Sequence, residues 1–154
     1  MKLDFLNEMK DPYLATTEGR GVFLSGVVLG VLAVVQTPPG SSIDAAPIYK
    51  QLNFGRMQRR DIRGHISKAA KLIDIYVKNM GRDDASGAKQ EAFGGIMKCV
   101  NLAEKLKAIA AEAGEMLLTC GERDLGVDGN FVFSVAFLNA EKYFWKLFKK
   151  AEEE

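Results

Sequence analysis

Four arginines stand within eight residues, Arg56, Arg59, Arg60 and Arg63, and Lys68 and Lys71 follow them. A guanidinium is a forked, permanently charged donor that matches phosphate oxygens, so this concentration points to phosphate contacts. From Lys50 to Arg82 nine basic residues are opposed only by Asp61 and Asp74, so the window carries +7 in a chain of formal charge +1. The rest of the chain is therefore acidic, at −6. On a helix advancing about 100° per residue, Arg56, Arg59, Arg60, Arg63 and Lys71 fall within about 120° of arc. The apolar residues of the same stretch take the other side. The pattern predicts a basic ridge backed by core, suited to sequence-independent binding of a nucleic-acid backbone. Lys142, Lys146, Lys149 and Lys150 form a second basic group at spacings of 3 and 4. A solvated helix face is the simpler reading of that group.

Little else in the chain could do chemistry. His65 is the single histidine, and Cys99 and Cys120 lie 21 apart with no C-x-x-C. This offers neither zinc spacing nor a disulfide framework, and it fits a reducing, cytoplasmic setting. No phosphate-binding glycine loop occurs, and Asp83-Asp84 lacks the oxygen-ligand spacing of a calcium loop. Inward Glu-x-x-His motifs of a di-metal bundle are missing too. The sequence therefore reads as a non-enzyme that needs no cofactor. The nine phenylalanines fall mostly on apolar helical faces and read as core rather than as a stacking platform.

The ridge must be carried by helices. A 154-residue chain that is 47% hydrophobic is one domain with enough apolar mass for a real core. Five helical stretches are predicted: about Leu3 to Lys10, Thr17 to Gln36, Met57 to Met80, Lys89 to Thr119 and Phe131 to Ala151, with a further short helix over Ile43 to Leu52. Thr16 or Thr17 can cap the second, with Glu18 in its first turn, where a negative charge is favoured. Thr37-Pro38-Pro39-Gly40 ends it. In the third, Ile62, Ile66, Ala69, Ile73, Tyr76 and Val77 make an amphipathic stripe. The fourth carries a stripe from Phe93 and Ile96 through Val100, Ala103, Leu106 and Ala113 to Leu117, with Cys99 beside it. Asp128 or Asn130 is the expected cap of the last, whose inner side is Phe133, Phe137, Ala140, Phe144, Leu147 and Phe148. No strand pattern competes. The expectation is an all-α, single-domain bundle of four to five helices, with its core over about 17–151. Residues 1–16 add a short helix and loop, and 152–154 an acidic tail.

Gly21 to Val35 is the most apolar stretch, 15 residues without a charge. A membrane-spanning helix needs about 20 such residues, so the stretch is predicted to be a central helix buried on most sides. Gly26 and Gly30 lie four apart, on one face, and would let a neighbouring helix approach closely.

Read in order, the chain resembles a known family. Phe23-Leu24-Ser25-Gly26 opens an apolar helix that runs to Gln36. Pro47-Ile48-Tyr49, an arginine-rich helix and a late Gly129-Asn130-Phe131-Val132-Phe133-Ser134-Val135-Ala136-Phe137 follow. This order is similar to the C-terminal helical region of the large subunit of type I-B CRISPR Cascade complexes, over about Thr17 to Lys150. That region is also made as a separate small subunit, and the resemblance implies that this chain is one. It implies a helical bundle without catalytic activity. Such subunits pack in a row of copies along the crRNA-guided complex, touch the large and backbone subunits, and line a basic path for DNA during R-loop formation. In such complexes guide pairing reads sequence and the protein holds strands by their backbones. The resemblance assigns a DNA-contact role in antiviral defence to Arg56, Arg59, Arg60, Arg63, Lys68 and Lys71. A second reading is a helical adaptor whose ridge meets an acidic protein partner, and a third an enzyme or membrane-associated bundle.

Overall fold

The computed structural model describes residues 3–37, 40–80, 100–118 and 125–152. Seven α-helices form within them: α1 Phe5–Glu8, α2 Thr17–Gln36, α3 Pro47–Gln51, α4 Arg59–Met80, α5 Val100–Leu117, α6 Gly126–Leu138 and α7 Ala140–Glu152. Two 3₁₀ turns, Tyr13–Ala15 and Ile43–Ala45, lie between them. The all-α bundle is as expected. The beginning of the fourth predicted helix, with Phe93, Ile96, Cys99 and the preceding turn, lies outside the described residues, as do Cys120 and Arg82.

Thr16 caps α2, its hydroxyl oxygen accepting the Gly19 N–H at 2.9 Å, and Glu18 sits in the first turn. From Gly21 to Ala33 every residue of α2 is buried. A helix apolar on all sides belongs inside other helices, and α2 packs against α3, α4, α5, α6 and α7. It is long and apolar enough to cross a membrane, yet 83% of that window is buried inside the bundle. Ser25 is buried among these apolar residues, and its hydroxyl donates to the Gly21 carbonyl at 2.7 Å.

Gly26 and Gly30 face α6. A Cβ on Gly26 would lie 2.7 Å from the Ala136 Cβ and 2.9 Å from the Phe133 carbonyl oxygen, and one on Gly30 would run into the Phe137 carbonyl of α6 and lie 2.5 Å from the Ala140 Cβ at the start of α7. Two helix backbones therefore meet with nothing between them. Gly21 faces α5 in the same manner, against Met116 and Leu117. On the other side of α5, Ile62, Ile66, Ala69 and Ile73 of α4 close the core. Each large side chain so buried contributes about 1.5–3 kcal/mol.

Three boundaries differ from the sequence expectation. The chain near Met57 is not helical, and α4 begins at Arg59. The predicted last helix is two helices, α6 and α7, parted at Asn139, whose side-chain amide donates to the Val135 carbonyl at 2.9 Å. Neither Asp128 nor Asn130 is a cap, because α6 starts earlier, at Gly126, whose φ of +81° suits glycine. Asn130 instead accepts the Met57 N–H at 2.7 Å and donates to the Gly126 carbonyl at 2.7 Å. A tertiary hydrogen bond uses the side chain that looked like a local cap.

Candidate nucleic-acid interface

The predicted ridge divides into residues that face outward and one that faces in. Arg59 opens α4 on the flank of the Ile62–Ile66 stripe, and its side chain is only 18% exposed. Its guanidinium forks onto the Glu18 carboxylate of α2, with Nε to Oε1 at 2.5 Å and Nη2 to Oε2 at 3.2 Å. Tyr13 donates its hydroxyl to the same Oε2 at 2.8 Å. Arg59 is thus a tie between the starts of two helices, and its donors point at protein.

Arg60 lies on the far side of α4, 65% exposed, with Asp61 at a loose 3.8 Å. Lys71 and Lys78 are exposed on the same side. The spacings of 11 and 7 residues bring the three cations to within about 20° of one line along the helix, about 16 Å and 10 Å apart. Between Arg60 and Lys71 that face holds only small groups. A Cβ on Gly64 would touch nothing, and exposed Ser67 turns its hydroxyl back onto the Gly64 carbonyl at 2.8 Å. A polyanion backbone can therefore lie close to the helix between the cations.

The other predicted residues stand apart from this line. Arg63 is half-buried on the Arg59 side of the helix, and Lys68 is exposed on the opposite flank. Arg56 is exposed in the turn ahead of α4, so the helical arc that included it does not exist. The second basic group lies on α7, which packs on α2. There Lys142 and Lys146 are exposed, with Lys146 5.8 Å from the Phe5 ring centre. The side chains of Lys149 and Lys150 lie outside the described residues.

One contact between helices escaped the sequence reading. Asp74 is one of only two acids in the basic window, and Lys107 of α5 takes it at 2.8 Å while also holding Glu104 at 2.9 Å. The hydrogen bond to Asp74, and then that to Glu104, raise the Lys107 pKa. Lys107 thereby ties α5 to the outer part of α4. The i,i+3 spacing of Glu104 and Lys107 was a visible signal for half of this arrangement. His65, half-buried on α4, is held below its ordinary pKa by burial and then by the Lys68 charge, against a smaller opposing effect of Asp61.

Residues 2–151 match the family model of the CRISPR-associated protein TM1802 (cas_TM1802) C-terminal domain. The chain belongs to this family. The resemblance to the C-terminal region of a CRISPR large subunit is thereby borne out, and the α2–α6 contact at Gly26 and Gly30 gives its F-L-x-G motif a packing role. Gln36, at the end of that motif, donates to the Tyr76 hydroxyl at 2.8 Å and accepts the Ile48 N–H at 2.9 Å. It fastens α2 to both α4 and α3. Comparisons with curated proteins and with solved structures gave no match.

Proposed function

We propose that this CRISPR-associated chain is a non-catalytic, small-subunit module of a crRNA-guided complex that holds DNA by its phosphates along the outer face of α4. The observation carrying this reading is the line Arg60–Lys71–Lys78, with only Gly64 and Ser67 between its first two cations. Cations spaced along a straight helix meet phosphates at several points without touching base edges, so binding is sequence-independent. Arg63 and Lys68 widen the surface on either flank, and Arg59 leaves the contact set. The guide supplies sequence recognition and this face retains the displaced or paired strand. Large and backbone subunits are the protein partners, and the setting is cytoplasmic.

A salt titration of DNA affinity tests the reading. Each neutralised phosphate adds about 0.7 to 0.9 to the slope of log affinity against log salt. Reversing Arg60, Lys71 and Lys78 to glutamate flattens that slope by about 2 or more and weakens single- and double-stranded DNA alike. Unchanged affinity of the folded triple variant at every salt concentration overturns the reading and moves the adaptor function ahead.

A further inference from the structure

The lysines of α7 read in the sequence as a solvated face. The structure sets the single tryptophan of the chain among them. α7 buries Tyr143, Phe144 and Leu147, while Trp145 stands 39% exposed and Lys142 and Lys146 are exposed. At about 100° per residue, Trp145 lies within about 20° of the direction opposite Tyr143 and Leu147, on the outermost line of the helix. Phe144 packs against the indole in a T-shaped pair at 5.3 Å, which holds the ring to the helix. Lys142 and Lys146 stand on one flank of Trp145, about 60° and 100° around the helix and about 6 Å apart along it.

The neighbouring acids do not pair with these lysines. Glu141 is exposed on the other flank of Trp145, about 40° away, in the first turn of α7, where a negative charge is favoured. α1 touches α7 through Phe5 and Tyr143 and carries exposed Asp4 and Glu8. Among the described residues no carboxylate lies within ion-pair distance of Lys142 or Lys146. Each ammonium has a ring near it instead, Tyr143 at 6.0 Å and Phe5 at 5.8 Å. The face thus combines an exposed indole, two unpaired cations to one side of it and a carboxylate on the other.

That combination fits a single-stranded nucleic acid. Indole stacks on the face of any base, and ammonium groups take the phosphates beside it. Glu141 repels phosphates, so the backbone keeps to the lysine flank. A duplex hides its base faces within its own stack. A lipid surface needs a broad apolar face, and that of α7 is buried in the bundle.

We propose that the outer face of α7 is a single-strand binding site, with Trp145 stacking on one base and Lys142 and Lys146 holding the phosphates next to it. The site uses none of the α4 cations. It adds a discrimination between single strands and duplexes that a line of cations meeting phosphates alone does not have.

Because Trp145 is the single tryptophan, its fluorescence reports this site alone. The probe is an oligo(dT) of about 12 nucleotides at low salt. It is titrated into the full chain and into the variant with Arg60, Lys71 and Lys78 changed to glutamate. The expected result is saturable quenching in both proteins, and none by an abasic strand of the same charge. In the α4 variant, anisotropy of a labelled strand follows further changes. There Trp145→Leu weakens single-strand affinity about tenfold and Trp145→Phe about threefold or less, while duplex affinity stays within about twofold. Changing Lys142 and Lys146 to glutamate together weakens the strand about tenfold as well. Emission unmoved by the oligonucleotide, or quenched as strongly by the abasic strand, overturns the proposal. A blue shift on phosphatidylglycerol vesicles with no quenching by the strand also overturns it, and gives the face to a lipid surface. Failure of the α4 salt titration with this quenching intact leaves the α7 site standing.

Discussion

The Arg59 guanidinium and the Glu18 carboxylate lie face to face, joined by two bonds of 2.5 Å and 3.2 Å across 41 residues of sequence. Both side chains are about four-fifths covered, at 18% and 24% exposure. Removing one member leaves the other poorly solvated. Arg59→Ala should cost about 1–3 kcal/mol and Arg59→Glu more, since it sets two carboxylates together. Arg60→Glu, 65% exposed, should fall within about 0.5 kcal/mol of the parent. Chemical denaturation of the three variants checks this, and equal midpoints would refute the role given to Arg59.

Two glycines on different helices should respond in opposite ways to the same methyl group. Gly30→Ala drives a Cβ into Ala140 and the Phe137 carbonyl. It should destabilise the chain by about 1–3 kcal/mol through overpacking. Gly64→Ala meets open space on the outside of α4. It should stabilise by about 0.5–1 kcal/mol through helix propensity. Urea midpoints moving in the same direction would contradict the assigned packing.

Gln36 holds two elements with one side-chain amide. Gln36→Glu keeps the acceptor for the Ile48 N–H and loses the donor to Tyr76. Gln36→Leu loses both and leaves the two partners unsatisfied. The leucine variant should be the less stable by about 1 kcal/mol or more at neutral pH. Tyr76→Phe should narrow the difference between the parent and the Gln36→Glu variant, which a double-mutant cycle measures.

Burial and Lys68 hold the His65 pKa below 6.5, its ordinary value. The unfolded chain therefore binds this proton at a higher pH than the folded chain. Stability contributed by neutral His65 is present above about pH 6.5. It falls as pH drops through that value and levels off below the folded pKa. His65→Gln should flatten the stability profile between about pH 7 and 5. An unaltered slope would show that other groups control it.

Much of this fold could be read locally. α2 combined a side-chain cap at Thr16, an acid in its first turn and thirteen buried residues in a row, so its ends and its central place were visible together. The stripe Ile62–Ile66–Ala69–Ile73 fixed the inner side of α4 in the same way. What the sequence concealed depends on partners far along the chain. Arg59 sits at the edge of the apolar stripe, and only Glu18 decides that it turns inward. Asn130 has the chemistry of a cap, but the Met57 N–H claims its oxygen from 73 residues away. The break at Asn139 was hidden because apolar residues continue across it on both helices.

A helix ringed by five others leaves the bundle no half that could hold together alone. Its amide hydrogens are sealed twice, by their own hydrogen bonds and by the helices around them. Deuterium should reach the backbone of α2 only when the entire chain opens, while α1 and the Ile43–Ala45 turn exchange through small local excursions. The contacts that bury α2 join residues near 25 with residues near 110 and 135, so the chain must close long loops before its central helix gains shelter. Folding is thereby tied to the last third of the sequence, and a ribosome that has released only α1 through α4 presents a naked apolar rod.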